Sequence, residues 1–159
     1  MAARPPLSLK ARALQWLAQS EHSRAELRRK LVRAARQRDA DQPDAPDPAP
    51  EIDALLDWLA ANRHLSEARF VESRVHARSQ RFGNRRIAQE LAQHGLSLDG
   101  QTAEGLKGSE LGRARAVWSR KFGPTPPTDA AARARQMRFL AGRGFSVEVI
   151  RRVVRGDDD

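Results

Sequence analysis

The side chains best equipped for chemistry in this chain are its histidines, and they do not assemble a recognisable site. His22, His64, His76 and His94 share no metal-ligand spacing, and no carboxylate pair joins them in a zinc pattern. Cysteine is absent, which removes disulfides, thiolate metal sites and thiol catalysis. There is no Walker loop, dinucleotide fingerprint or Gly-x-Ser-x-Gly elbow. The glycines read as isolated helix terminators and the serines of interest as N-caps. The expectation is a protein that is not an enzyme and that uses no metal or cofactor.

The chemistry that remains is cationic. "RSQRFGNRR" sets Arg78, Arg81, Arg85 and Arg86 around one predicted turn, and "SRKFG" sets Arg120 and Lys121 at a matching turn 40 residues on. Further bases decorate two helices: Arg24, Arg28, Arg29, Lys30 and Arg33 on one, Arg133, Arg135, Arg138 and Arg143 on another. The net charge is +9, unevenly spread. Residues 39–51, "DADQPDAPDPAPE", hold five acids and no base, and the tail "DDD" holds three more acids, so the rest of the chain carries 29 bases against 12 acids. That excess favours nucleic acid, an acidic membrane surface or an acidic protein as partner. Basic turns repeated along a chain suit a phosphate backbone, bound without regard to sequence and weakened by salt. The candidate contacts are Arg78, Arg81, Arg85, Arg86, Arg120 and Lys121, with Arg28, Arg29, Arg138 and Arg143 as additional ones. Phe82 and Phe122 each precede a glycine and either pack under the turn or stay partly exposed, whereas Trp16, Trp58 and Trp118 are expected in the core.

Helices must position these residues, because no segment alternates as a strand would. A first helix over about 8–19 aligns Leu9, Ala13, Trp16 and Leu17. A second opens on the capping box Ser23-Arg-Ala-Glu26 and shows Leu27 and Leu31. The four prolines of 39–51 predict an extended, solvated linker, after which Ile52, Leu55, Leu56 and Leu59 mark a third helix. A fourth starts near Ser66 with Phe70, Val71 and Val75, and a fifth presents Ile87 and Leu91 and stops at Gly95. A sixth from Ser97 is opposed by Gly100 and Gly105, at about 1 kcal/mol each. A seventh from Ser109 carries Leu111, Ala114 and Trp118, an eighth Met137 and Leu140 up to Gly144, and a ninth, capped by Ser146, Ile150 with Val153 or Val154.

The chain also repeats itself. "ELAQHGLS" (90–97) returns as "FLAGRGFS" (139–146), offset by 49, and "SQRFG" (79–83) as "SRKFG" (119–123), offset by 40. The insertion "PTPPTDAAA" accounts for the nine-residue difference. The fold class expected is all-α, three tandem three-helix repeats forming an elongated, curved array. Its units are 8–62 (with the insert 39–51), 64–107 and 109–156.

"HSRAELRRKL" (22–31), the run 52–97 and "KFGPTPPTDAAARARQMRFLAGRGFSVEVIRRVV" (121–154) resemble the RecX family of bacterial regulators of the recombinase RecA. The most diagnostic order is Arg69-Phe70, Arg81-Phe82-Gly83, Arg86-Ile87, Glu90-Leu91, Gly95 and Ser97. "RHLSEARF" departs from the aromatic-rich, acidic helix start usual in the family. The resemblance implies a monomer lying in the groove of the RecA–single-stranded DNA filament, where it impedes filament growth and curbs strand exchange, ATP hydrolysis and coprotease activity. By position, Arg78, Arg81, Arg85 and Arg86 would carry the contact, extended by Arg120 and Lys121. Two other readings remain: a stand-alone DNA-binding module, or a helical-repeat adaptor for an acidic protein. With no secretory leader or membrane span in sight, the expected location is the cytoplasm.

Overall fold

The computed structural model describes residues 2–157, which contain helices and no strand. In chain order the helices are α1 (Leu9–Gln19), α2 (Arg24–Arg38), α3 (Ala49–Ala61), α4 (Glu67–Ser79), α5 (Asn84–Gln93), α6 (Gly100–Phe122), α7 (Ala130–Gly142) and α8 (Val147–Arg155). They fall into two compact units, Met1–Phe70 and Val71–Asp159, with the boundary inside α4. Asp158 and Asp159 of the acidic tail lie outside the described residues. None of the helices among the described residues is long and apolar enough to cross a membrane.

In the first unit the anticipated stripes meet. Leu9 and Ala13 of α1, Leu27, Leu31, Ala34 and Ala35 of α2, and Ile52, Leu56 and Leu59 of α3 share one core, with Leu65 closing it. Each large aliphatic side chain removed from water contributes about 1.5–3 kcal/mol. Ser8 and Ser23 cap α1 and α2, accepting from the amides of Ala11 and Glu26 at 3.1 Å each. Trp58 departs from expectation. It is 38% exposed, lying between the Lys10 ammonium, 3.6 Å from its ring centroid, and a stacked His64. The α3 stripe is already filled by Ile52, Leu56 and Leu59, and the neighbouring position points outward. Trp16 is half-buried, and Trp118 alone of the three is in a core.

The acidic stretch is solvated as expected but not wholly extended. Its last three residues open α3, where Pro50 is tolerated because first-turn amides have no helical partner. Its ends close on Arg38, which pairs with Asp39 at 2.8 Å and Glu51 at 3.0 Å. Those two carboxylates raise the Arg38 pKa above the ordinary arginine value, Asp39 contributing most, and Arg38 in turn lowers that of Asp39.

The second unit corrects the helix count. The sixth and seventh predicted helices are one, α6, which runs unbroken through Gly100, Gly105, Gly108 and Gly112. All four glycines face open space, so their cost is only the lost propensity. A continuous buried stripe outweighs it: Leu106, Glu110, Ala114, Val117 and Trp118 recur at helical spacing across the expected break. Ser109 is therefore not an N-cap; its hydroxyl donates back to the Leu106 carbonyl at 3.3 Å. The cap is Asp99, which accepts from the Thr102 amide at 2.7 Å, a bond that holds its carboxyl below the usual range. Around α6, Leu140 of α7, Phe145, and Ile150, Val153 and Val154 of α8 complete the core. Two polar bonds join it, the first buried and the second partly so. Trp118 Nε1 donates to Gln136 Oε1 at 2.7 Å, and Glu110 Oε1 accepts from the Ser146 amide at 2.8 Å.

Candidate nucleic-acid interface

The α4–α5 turn, with Arg78, Arg81, Arg85 and Arg86, is docked against the α7–α8 turn, with Arg143. The α4–α5 turn reaches the α7–α8 turn through main chain: Gly83 N donates to Arg143 O at 2.8 Å, and Arg85 N donates to Gly144 O at 3.1 Å. A Cβ on Gly83 would stand 2.3 Å from the Gly144 carbonyl and the Phe145 nitrogen. Gly144 has φ +86, and a Cβ there would lie 2.4 Å from Arg86 Cβ. These are the glycines of the two sequence echoes. Gly95, the counterpart of Gly144, has φ +71 and no neighbour within 4 Å, so it merely ends a helix.

Docking gathers arginines from both turns over one ring. Phe82 is half-buried, and the guanidinium carbons of Arg86, Arg143, Arg81 and Arg78 lie 4.4, 5.4, 5.8 and 5.9 Å from its centroid. The ring face and nearby carbonyls offset the crowding of like charges. Arg143 donates to Arg81 O and Arg86 to Gly142 O, both at 3.4 Å. Phe139 extends the apolar base, with Arg143 at 5.2 Å, Lys121 at 5.7 Å and an edge-on Phe122 at 5.3 Å. Arg81, Arg120, Lys121 and Arg143 thus line, with Val117 and Phe139, a hollow of about 260 Å³ that has no carboxylate in its wall.

The remaining predicted residues are placed differently. Arg78 is half of an ion pair, its guanidinium and that of Arg74 both 3.1 Å from Glu90. Arg85 and Arg138 are exposed, and Arg120 donates to the Gln80 carbonyl at 3.0 Å. Arg28 and Arg29 belong to the first unit, where Arg28 pairs with Asp53 at 3.0 Å. No group of three or more His, Asp or Glu suited to a metal ion exists among the described residues.

Two residues escaped the sequence reading. Phe139 adjoins the anticipated Leu140 of α7 without any signal of its own. Arg113, one of several bases on α6, organises the α4–α5 turn. Its Nη1 donates to the carbonyls of Ser79 (3.0 Å) and Phe82 (2.9 Å), and its Nη2 to Leu106 O (3.1 Å) and to Asn84 Oδ1. Nε donates to Ser109 Oγ at 3.0 Å. Burial lowers its pKa from the ordinary arginine value, with the Glu110 carboxylate opposing, and it remains a cation at any physiological pH. Nothing in the spacing of Arg113 distinguishes it from Arg115, since its role depends on carbonyls 29 to 34 residues away in the chain.

Comparison with known proteins gives two matches to family models. Residues 66–99 match the model of the second three-helix domain of RecX, and residues 109–154 match that of the third. The regulatory protein RecX of Ralstonia nicotianae is 50% identical over 157 residues, 98% of this chain and 91% of its own. That of Leptothrix cholodnii is 53% identical over 154 residues, covering 96% and 90%. The Pseudomonas entomophila protein of the same name is 43% identical over 157 residues, covering 96% and 94%.

Proposed function

The chain belongs to the RecX family of regulatory proteins, and from that premise we propose that it binds the RecA–single-stranded DNA filament and inhibits it. Recombinase, ATPase and coprotease activities fall together, because all three require the assembled filament. The protein acts as a cytoplasmic, non-enzymatic modulator of DNA repair and recombination, in tandem units over 8–62, 64–107 and 109–156. The observation that carries this reading is the group of Arg81, Arg120, Lys121 and Arg143 around Phe139, whose hollow contains no acid, with Arg86 beside it over Phe82. Such a surface is complementary to a phosphodiester strand and indifferent to its bases.

Inhibition of RecA ATPase on single-stranded DNA is expected to weaken as salt rises. Replacing Arg81, Arg85 and Arg86 together with alanine removes up to three phosphate contacts. At about 0.7 counterions per contact on a single strand, log K against log salt becomes shallower by about 2, and affinity at 0.1 M salt falls by on the order of 10². Thermal unfolding of the same variant separates a lost contact from a lost fold. Unchanged filament affinity in a folded triple variant overturns the assignment. Equal affinity for DNA without RecA, coupled to base preference, indicates a stand-alone DNA-binding module instead.

A further inference from the structure

The first unit carries a second cationic face, at the junction of α1 and α2. Arg12 and Trp16 of α1, and Lys30, Arg33, Ala34 and Gln37 of α2, line a hollow of about 230 Å³ with no carboxylate in its wall. The charge is segregated by helix geometry. At about 100° per residue, Arg28 occupies one flank of the buried α2 stripe, Arg24 and Arg38 follow the arc of the stripe itself at the two ends of the helix, and Lys30, Arg33 and Gln37 occupy the second flank. Off that second flank the charge is neutralised: Arg24 pairs with Asp57 at 2.7 Å, Arg28 with Asp53 at 3.0 Å and Arg38 with Glu51 at 3.0 Å. On the second flank, the side chains of Arg12 and Arg33 make no hydrogen bond or ion pair among the described residues.

Lys30 on that flank is held in place by an imidazole rather than by a carboxylate. Its ammonium lies 2.8 Å from His22 Nε2 and 5.3 Å from the centroid of Trp16. His22 is buried, and its Nδ1 lies 2.9 Å from the Ser20 carbonyl. With Nδ1 donating to that carbonyl, Nε2 is left as the acceptor for Lys30. The small, buried Ala34 forms the floor and the half-buried indole forms a wall. Three cations, an amide and an indole around an acid-free hollow have the make-up of a strand-binding surface, in which phosphates meet the cations and a sugar or base lies against the ring.

We propose that this α1–α2 face is a second binding site for single-stranded nucleic acid, contacting the strand backbone through Arg12, Lys30 and Arg33. An acidic protein surface would find the cations but would leave the indole unused. The site stands independently of the cluster in the second unit, so one unit can hold a strand when the other is disabled.

The test uses the full chain and a fluorescent oligo-dT without RecA, with affinity measured across a salt series. Arg12→Ala/Arg33→Ala is expected to weaken binding about 20-fold at 0.1 M salt and to flatten the salt dependence by about 1.4. Both side chains lack internal partners, so thermal stability should be unchanged. In a Trp58→Phe background the remaining indoles are Trp16 and the buried Trp118. Oligo-dT should then quench emission, and the quenching should disappear in the double variant. Unaltered affinity and quenching in Arg12→Ala/Arg33→Ala overturn the site, whatever the Arg81/Arg85/Arg86 variant does. Loss of filament binding with oligo-dT affinity intact also overturns it, and assigns the face to an acidic protein.

Discussion

Arg113→Ala should lower the thermal midpoint by more than about 10 °C and weaken strand binding with it, although Arg113 is not among the cations offered to the strand. The guanidinium satisfies three carbonyls, one side-chain amide oxygen and one hydroxyl, all around the α4–α5 turn and the middle of α6. Ser79 and Phe82 are the residues at which α4 ends and the turn begins, so their carbonyls have no helical partner of their own. Truncation leaves partly buried acceptors unsatisfied at about 1–3 kcal/mol for each group that water cannot reach, and about 3 kcal/mol overall is expected. For a unit of this size that corresponds to the stated fall in midpoint. Arg113→Lys should recover little, because an ammonium cannot reproduce the planar fork that serves acceptors in several directions. A midpoint within about 2 °C of the parent by differential scanning calorimetry would show that the turn needs no clamp.

Gly83→Ala and Gly144→Ala should be as damaging, for a different reason. The Gly83 methyl would meet main-chain atoms at 2.3 Å, and main chain cannot rotate away as a side chain does. At Gly144 the new methyl meets Arg86 and must also adopt φ +86, which L residues disfavour. A cost of about 3 kcal/mol or more is expected at each, measured by urea denaturation. Gly95→Ala is the internal control. It has the same place in the repeat and a similar φ but open space around it, so only the conformational cost of about 1 kcal/mol remains. If all three substitutions cost the same, the docking of the two turns contributes nothing. The docking variants should also lose salt-dependent strand binding, since Arg81 and Arg86 come from one turn and Arg143 from the other.

Local signals were legible where the physics is local. Ser23 and Ser146 cap helices as their spacing indicates, and the buried stripes of α1, α2, α3, α5 and α8 fall on the anticipated residues. Local signals misled where a longer-range term outweighed them. Glycines and a well-placed Ser109 argued for a break that the stripe of Leu106, Glu110 and Ala114 overrides. Trp58 adjoins an apolar stripe that its neighbours had already filled.

For the candidate interface, the sequence by itself determined which cations are available, that they cluster at turns, and that the turns repeat. Charge and spacing are properties of the chain and need no contact to exist. Which cations stand around a hollow without a carboxylate was decided only by tertiary structure. Arg78 is committed to Glu90, Arg28 to Asp53 and Arg113 to the turn itself, while Arg81, Arg120, Lys121 and Arg143 are left around an acid-free hollow. A guanidinium looks the same in sequence whether it meets a carboxylate, a carbonyl or water. Its partner lies tens of residues away, and only the packing of helices chooses among the three.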